Sequence, residues 1–255
     1  MKIVVCIKQV PARDSLLRIN SPGTWIQDSD LSYEINEPDA YALEEGLQLR
    51  EKHGGEVVVL CAAPSRASQT IREALAKGAD RAIHLEYEPG MNPLAAAHFM
   101  ARALEPEKPE LVLTGLQSDD LGYGQTGVIL AQILGLPHAT IIMEVEKMEG
   151  RIRVKRELEN GWFQHVEMPL PALLTIQSGI KKLRYATLMG IKKAKTKEVK
   201  KLTPSELGGQ VQGAGIEVAR VYLPERVKQA QLFEGDARQA AVRLVEKLRF
   251  EARVL

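Results

Sequence analysis

Cysteine is nearly absent from this 255-residue chain: the two thiols, Cys6 and Cys61, each sit inside a strongly apolar run. That excludes a disulfide framework and a cysteine-based zinc site, and it points to a reducing, cytoplasmic setting. Long apolar runs are also missing. Nothing approaches the roughly 18 residues that a membrane-spanning helix needs, so no membrane protein is expected. The N-terminal run Ile3–Ile7 is too short for a secretory signal and reads as a strand. Charge of one sign is lacking as well. With 34 Lys+Arg against 33 Asp+Glu the net charge is +1, which argues against a general nucleic-acid binder. Signatures of catalysis are scarce. His53, His84, His98, His138 and His165 form no H-x-x-x-H or H-E-x-x-H pattern, and no G-x-S-x-G elbow occurs. Neither a metal site nor a nucleophilic triad is expected, and the chain reads as a binder rather than an enzyme.

What is present is strand–helix alternation. Apolar runs at 3–7, 57–62, 81–85 and 111–114 have the continuous, β-branched character of strands buried on both faces. Between and after them lie helical patterns. One starts at Asn36-Glu37-Pro38-Asp39 and stops at His53-Gly54-Gly55. A second carries Ile71, Ala74 and Leu75 and is capped by Gly78. A third opens at Asn92-Pro93, and a fourth covers about Gln125 to Leu134. Such alternation predicts an α/β fold, a mostly parallel, Rossmann-like sheet with helices on both faces. From Ala139 the pattern changes to antiparallel strands at 141–145, 151–157 and 163–168, turning at Glu149-Gly150 and Asn160-Gly161, before a buried strand at 171–176. Residues 177–202 are basic and poorly periodic, and 203–215 read as an extended arm. An amphipathic helix follows over Phe233–Phe250, with Ala237, Ala240, Ala241, Leu244, Val245 and Leu248 on one stripe. The expected organisation is an α/β domain over 1–220 and a C-terminal arm and helix over 221–255 that leave its surface.

The strongest local feature is the loop Gly115 to Gly127, which follows a buried strand and opens a helix. In open α/β sheets ligands bind beyond the carboxyl ends of the strands, and a helix N-terminus offers free N–H groups to a phosphate. Gly122, Gly124 and Gly127 would let backbone approach closely, and Thr126 would add a hydroxyl. No Gly-Lys-Ser/Thr follows, so this is not a Walker A loop; a flexible loop before an ordinary helix is the plainer alternative. Cys6, Asn36 to Asp39, and Ala62 to Pro64 fall at other strand ends or helix starts and would line the same crevice. Taken singly, Cys6 reads as a small buried hydrophobe and Asn36 or Asp39 as a helix cap.

The near-neutral total hides a division. Residues 177–202 hold nine Lys/Arg and one acid, leaving the remainder at 25 bases and 32 acids. A solvated basic loop is the ordinary reading of such a run. The alternative is a docking segment that steers an acidic partner, with Leu188 and Met189 as anchors.

Several stretches, in order, resemble the β subunit of electron transfer flavoprotein over nearly the whole chain. They are Val4-Val5-Cys6-Ile7-Lys8; Asn36-Glu37-Pro38-Asp39 with Leu43-Glu44-Glu45; Thr70 through Arg81; Gln125-Thr126-Gly127; Val154-Lys155-Arg156-Glu157; Leu170-Pro171-Ala172; and Arg184-Tyr185-Ala186-Thr187-Leu188 with Ile191-Lys192-Lys193-Ala194-Lys195. The resemblance implies an electron carrier subunit in an αβ heterodimer. FAD would be held mainly by the α subunit, with the β subunit forming part of its wall. A structural AMP would be bound by Cys6, Asn36, Glu37, Pro38, Asp39, Ala62, Asp120, Gly122, Gly124, Gln125, Thr126 and Gly127. Partner docking would fall to Arg184, Tyr185, Leu188, Met189, Lys192 and Lys193. The implied partners are acyl-CoA or other flavin dehydrogenases, as in fatty acid β-oxidation, and a membrane quinone oxidoreductase. The sequence departs from the family pattern at Lys181-Lys182-Leu183, where Asn-Glu-Pro is usual, and in the glycine-rich loop Ser118 to Gly124. In electron-bifurcating relatives a second FAD replaces AMP and NADH supplies electrons; Lys8-Gln9-Val10-Pro11 resembles those members, Gln125-Thr126-Gly127 the AMP-type ones. A stand-alone adenine-nucleotide-binding stress-type protein is the remaining alternative.

Overall fold

A computed structural model describes residues 1–87, 92–209, 218–224 and 230–255. Its elements in chain order are β1 (Lys2–Ile7), β2 (Gln9–Pro11), β3 (Tyr33–Ile35), α1 (Glu37–His53), β4 (Glu56–Ala63), α2 (Ser68–Lys77), β5 (Arg81–Glu86), α3 (Pro93–Leu104), β6 (Leu111–Gly115), α4 (Thr126–Leu134), β7 (His138–Lys147), β8 (Arg151–Glu157), β9 (Phe163–Pro169), β10 (Ala172–Ile176), α5 (Leu188–Ala194), β11 (Val199–Leu202) and α6 (Ala237–Glu246). One nine-stranded sheet runs β11-β5-β4-β1-β6-β10-β7-β8-β9, and β2 and β3 form a separate antiparallel pair.

The apolar runs become central strands because both of their faces are covered. Along β1, Ile3, Val5 and Ile7 join one core with Leu43 and Leu47 of α1 and Ile71 and Leu75 of α2. Val4 and Cys6 point the other way, into a second core with Phe99 and Leu104 of α3 and Leu130 of α4. This two-residue alternation repeats in β4, β6 and β10, as strand geometry requires. Each fully buried Leu or Ile contributes about 1.5–3 kcal/mol. Cys6 and Cys61 are both buried in these layers.

The parallel part extends from β11 to β7. β4 and β6 flank β1 on opposite sides, so the winding direction reverses there. A crevice therefore opens at the carboxyl ends of these strands. Beyond it, β7 pairs parallel with β10 at one end and antiparallel with β8 at the other, bending at Ile141, whose φ is +60°. The two hairpin turns fall where expected, with Gly150 and the pair Asn160 and Gly161 in left-handed conformations.

Two expectations needed correction, and one pair of strands lies where none was expected. The basic stretch 177–202 is not irregular: it contains α5 and the edge strand β11, which pairs with β5. The polar connection after β1 returns to form β2–β3. The start of the expected arm, 203–209, is not extended. It folds into a turn held by the Thr203–Glu206 side-chain bond and by Arg102 of α3 donating to the Leu207 carbonyl. Residues 210–217, which include the rest of that expected arm, and residues 225–229 of the expected 221–255 arm lie outside the described residues. The C-terminal helix forms, continuing from α6 into a wider turn over Lys247–Glu251. Val242, Leu244, Val245 and Phe250 remain exposed on it.

Candidate functional site

A cavity of about 590 Å³ occupies the crevice at the carboxyl edge. Of the twelve residues expected to hold a nucleotide, Cys6, Asn36, Asp39, Ala62, Asp120, Gly124, Gln125, Thr126 and Gly127 line it. Glu37, Pro38 and Gly122 do not. Glu37 pairs instead with Arg13, Pro38 lies against Gly115, and the Gly122 N–H closes a turn on the Ser118 carbonyl.

The first-turn N–H groups of α4 have no carbonyl to bond within the helix, and Gln125, Thr126 and Gly127 bring that end into the cavity wall. Glycine is needed at 127 for packing: a Cβ there would meet Thr114 Oγ1 at 2.6 Å and Thr175 Cγ2 at 2.9 Å. Gly127 thus seats α4 on β6 and β10. Gly122 and Gly124 have φ of +63° and +62°, so the loop before α4 depends on their left-handed freedom.

α1 shapes that loop from the other side. Asn36 stands at the N-cap position of α1, but its side chain does not cap the helix. Its Nδ2 donates to the Gln117 carbonyl at 2.9 Å, and its Oδ1 accepts from the Asp119 N–H at 2.9 Å. Asp39 ties two strand ends together, accepting from the Lys8 and Gly115 N–H groups at 2.8 Å each. Burial pushes the Asp39 carboxyl up to about 7, against the lowering effect of those bonds and of nearby Asn36 and Lys8. The Lys8 ammonium meets Asp120 at 2.6 Å and Ser118 at 3.2 Å.

Sequence reasoning missed Lys8, Trp25, Tyr33, Arg66 and Tyr87, all of which line the cavity. Arg66 lies over the Tyr33 ring at 4.7 Å. Lys8 was findable as the first polar residue after β1. Trp25 and Tyr33 were not, because β3 and the connection leading into it reach the site only through tertiary folding.

The expected docking residues form one surface with one exception. Tyr185, Leu188 and Met189 are 91%, 89% and 61% exposed, and Lys192 and Lys193 are exposed in the last turn of α5. Arg184 faces inward. Its guanidinium meets Glu44 at 2.8 Å and 3.0 Å and Glu51 at 2.6 Å and 3.2 Å, both on α1. Among the described residues no helix is long and apolar enough to cross a membrane.

Comparison with known proteins fits this geometry. The family described as "Electron transfer flavoprotein domain" matches residues 24–207. The electron transfer flavoprotein subunit beta of Methylophilus methylotrophus is 34% identical over 257 residues, covering 96% of this chain and 97% of its own. The mitochondrial subunit beta of Oryza sativa subsp. japonica is 34% identical over the full length of both chains. The human subunit beta is 33% identical over 82% of this chain and 83% of its own.

Proposed function

The chain belongs to the electron transfer flavoprotein family, as a β subunit, and from that premise we propose that it binds AMP in the carboxyl-edge cavity and works as a non-catalytic half of an electron carrier. The observation that carries this reading is the start of α4, where Gln125, Thr126 and Gly127 line a cavity large enough for a mononucleotide and the first-turn N–H groups lack carbonyl partners within the helix. The donor set suits a phosphate, and the apolar wall of Cys6, Ala62, Ala96 and Met100 suits a purine. Asn36, Asp39 and the Lys8–Asp120 pair would hold the loop in shape around the nucleotide. In this proposal that role is structural.

In this proposal the α subunit holds most of the FAD, which supplies the redox chemistry when bound, and this chain completes its wall. The 221–255 arm and helix cover the α subunit, a role supported by the exposed apolar stripe on α6. Tyr185, Leu188 and Met189 engage acyl-CoA or other flavin dehydrogenases, and electrons leave toward a membrane quinone oxidoreductase. The setting proposed is cytoplasmic.

Acid extraction of the purified heterodimer, with the released nucleotides identified by mass, tests the cavity assignment. AMP in equal amount to this chain, with FAD from the α subunit, is expected. A second FAD without AMP would favour the bifurcating reading, which the Trp25, Tyr33 and Arg66 wall of the cavity makes worth separating. ATP turnover by the isolated chain would overturn both.

A further inference from the structure

The docking segment has little to hold it in place by itself. α5 spans only Leu188–Ala194, and helices this short are marginal in water. Its apolar side chains Leu188, Met189 and Ile191 point outward, while Ala194 is buried. The Thr187 hydroxyl accepts from the Gly190 N–H and caps the first turn, which sets the helix start but not where the helix sits.

Its two ends are tied to different helices. At the N-terminal end the Arg184 fork spans Glu44 and Glu51 of α1. The Glu44 side chain is 5% exposed and that of Glu51 is 50% exposed. One limb is therefore shielded from solvent screening, and a planar guanidinium can hold both carboxylates where an ammonium cannot. At the other end the Lys197 ammonium enters the last turn of α2 and donates to the Leu75 and Ala79 carbonyls. Arg72 of α2 returns donors to the Ala194 and Lys197 carbonyls. Gly190 lies so close to the Ala76 carbonyl oxygen that a Cβ there would overlap it.

We infer that Arg184 and Lys197 are positioning residues that hold the exposed segment 185–191 between α1 and α2, so that its apolar side chains are preset for a partner. The inference rests on the docking reading above and moves Arg184 from partner contact to internal support. A preset surface loses less conformational freedom on binding, so losing the support should weaken encounter and leave the later electron transfer unaffected.

The test uses the assembled heterodimer, hydrogen exchange read by mass over residues 184–195, and steady-state transfer from an acyl-CoA dehydrogenase. Arg184→Gln should speed exchange in that segment about tenfold, leave the rest of the chain unchanged, and raise KM for the dehydrogenase about tenfold while kcat holds. Arg184→Lys should fall between wild type and Arg184→Gln. Glu51→Gln removes only the exposed limb and should give the same pattern more weakly, which covers the case of a poorly folded Arg184→Gln. Unchanged exchange in 184–195, or faster exchange spread over the whole chain, overturns the inference. So does a raised KM in Leu188→Ala with none in Arg184→Gln. If Leu188→Ala itself leaves KM unchanged, the docking reading fails, and the exchange result still decides whether Arg184 orders the segment.

Discussion

At the carboxyl edge of the sheet Asp39 is 6% exposed and bonded to two strand ends, whereas at the segment proposed for docking Tyr185 and Leu188 are about nine-tenths exposed. Both regions depend on carboxylates of α1. In the cavity the carboxylate of Asp39 is met by backbone N–H groups, and what it organises is space. At the docking segment Glu44 and Glu51 are met by a guanidinium, and what they organise is a surface. Buried polar groups serve two ends in one helix: the first turn of α1 shapes a hollow, and its later turns hold a protrusion.

The sharpest way to break this contrast is Asp39→Asn. The amide keeps one accepting oxygen and turns its NH2 toward the other backbone N–H, and one unsatisfied buried bond costs about 1–3 kcal/mol. Thermal unfolding should begin several degrees lower, and bound nucleotide should be lost on gel filtration. Retention of both would refute the strut role. Leu188→Ala should do the reverse: melting temperature and flavin content stay the same, while transfer from an acyl-CoA dehydrogenase falls about tenfold, as for a hot-spot residue. Equal rates would count against the segment as an anchor.

Proton linkage separates the regions next. With its carboxyl raised to about 7 in the folded chain, Asp39 keeps a proton that the unfolded chain loses near the ordinary value of 3.8. Its contribution to stability is present below that value and is lost as pH rises through about 7, with no further change above. Glu51, lowered by its bond to Arg184, contributes in the opposite direction, with stability lost as pH falls. Subtracting the pH profile of Asp39→Asn from that of wild type isolates the first effect. A flat difference between pH 5 and 8 would exclude it. The smallest effect should come from salt. Raising ionic strength from about 0.01 to about 0.15 M shortens screening from about 30 to about 8 Å. Association with the dehydrogenase should slow, while nucleotide retention, which rests on buried groups, should not change.

What the sequence revealed follows the same division. β1, β4, β5 and β6 were legible because strands covered on both faces leave unbroken apolar runs, and the crevice followed from their order. α5 was not legible because Leu188, Met189 and Ile191 face solvent, so no periodic apolar stripe points to a core. β11 was hidden because an edge strand of four residues with two lysines carries almost no strand signal. β2 and β3 were hidden by distance: their pairing is set by tertiary folding, and Trp25 and Tyr33 reach the cavity with it. Arg184 shows the remaining gap, since a basic run looks alike whether its charges face a partner or an acidic helix.

The two thiols have a further use, and only Cys6 touches the cavity. Cys6 and Cys61 sit on β1 and β4 at the centre of the sheet, at most 5% exposed. Burial pushes the Cys61 thiol up to about 12 and Cys6 higher still. Alkylating reagents attack the thiolate, so the folded chain offers them almost nothing to react with. Cys61 does not line the cavity, so the rate at which such a reagent modifies it in the native protein measures how often the central strands part, a clock for opening that needs no added label.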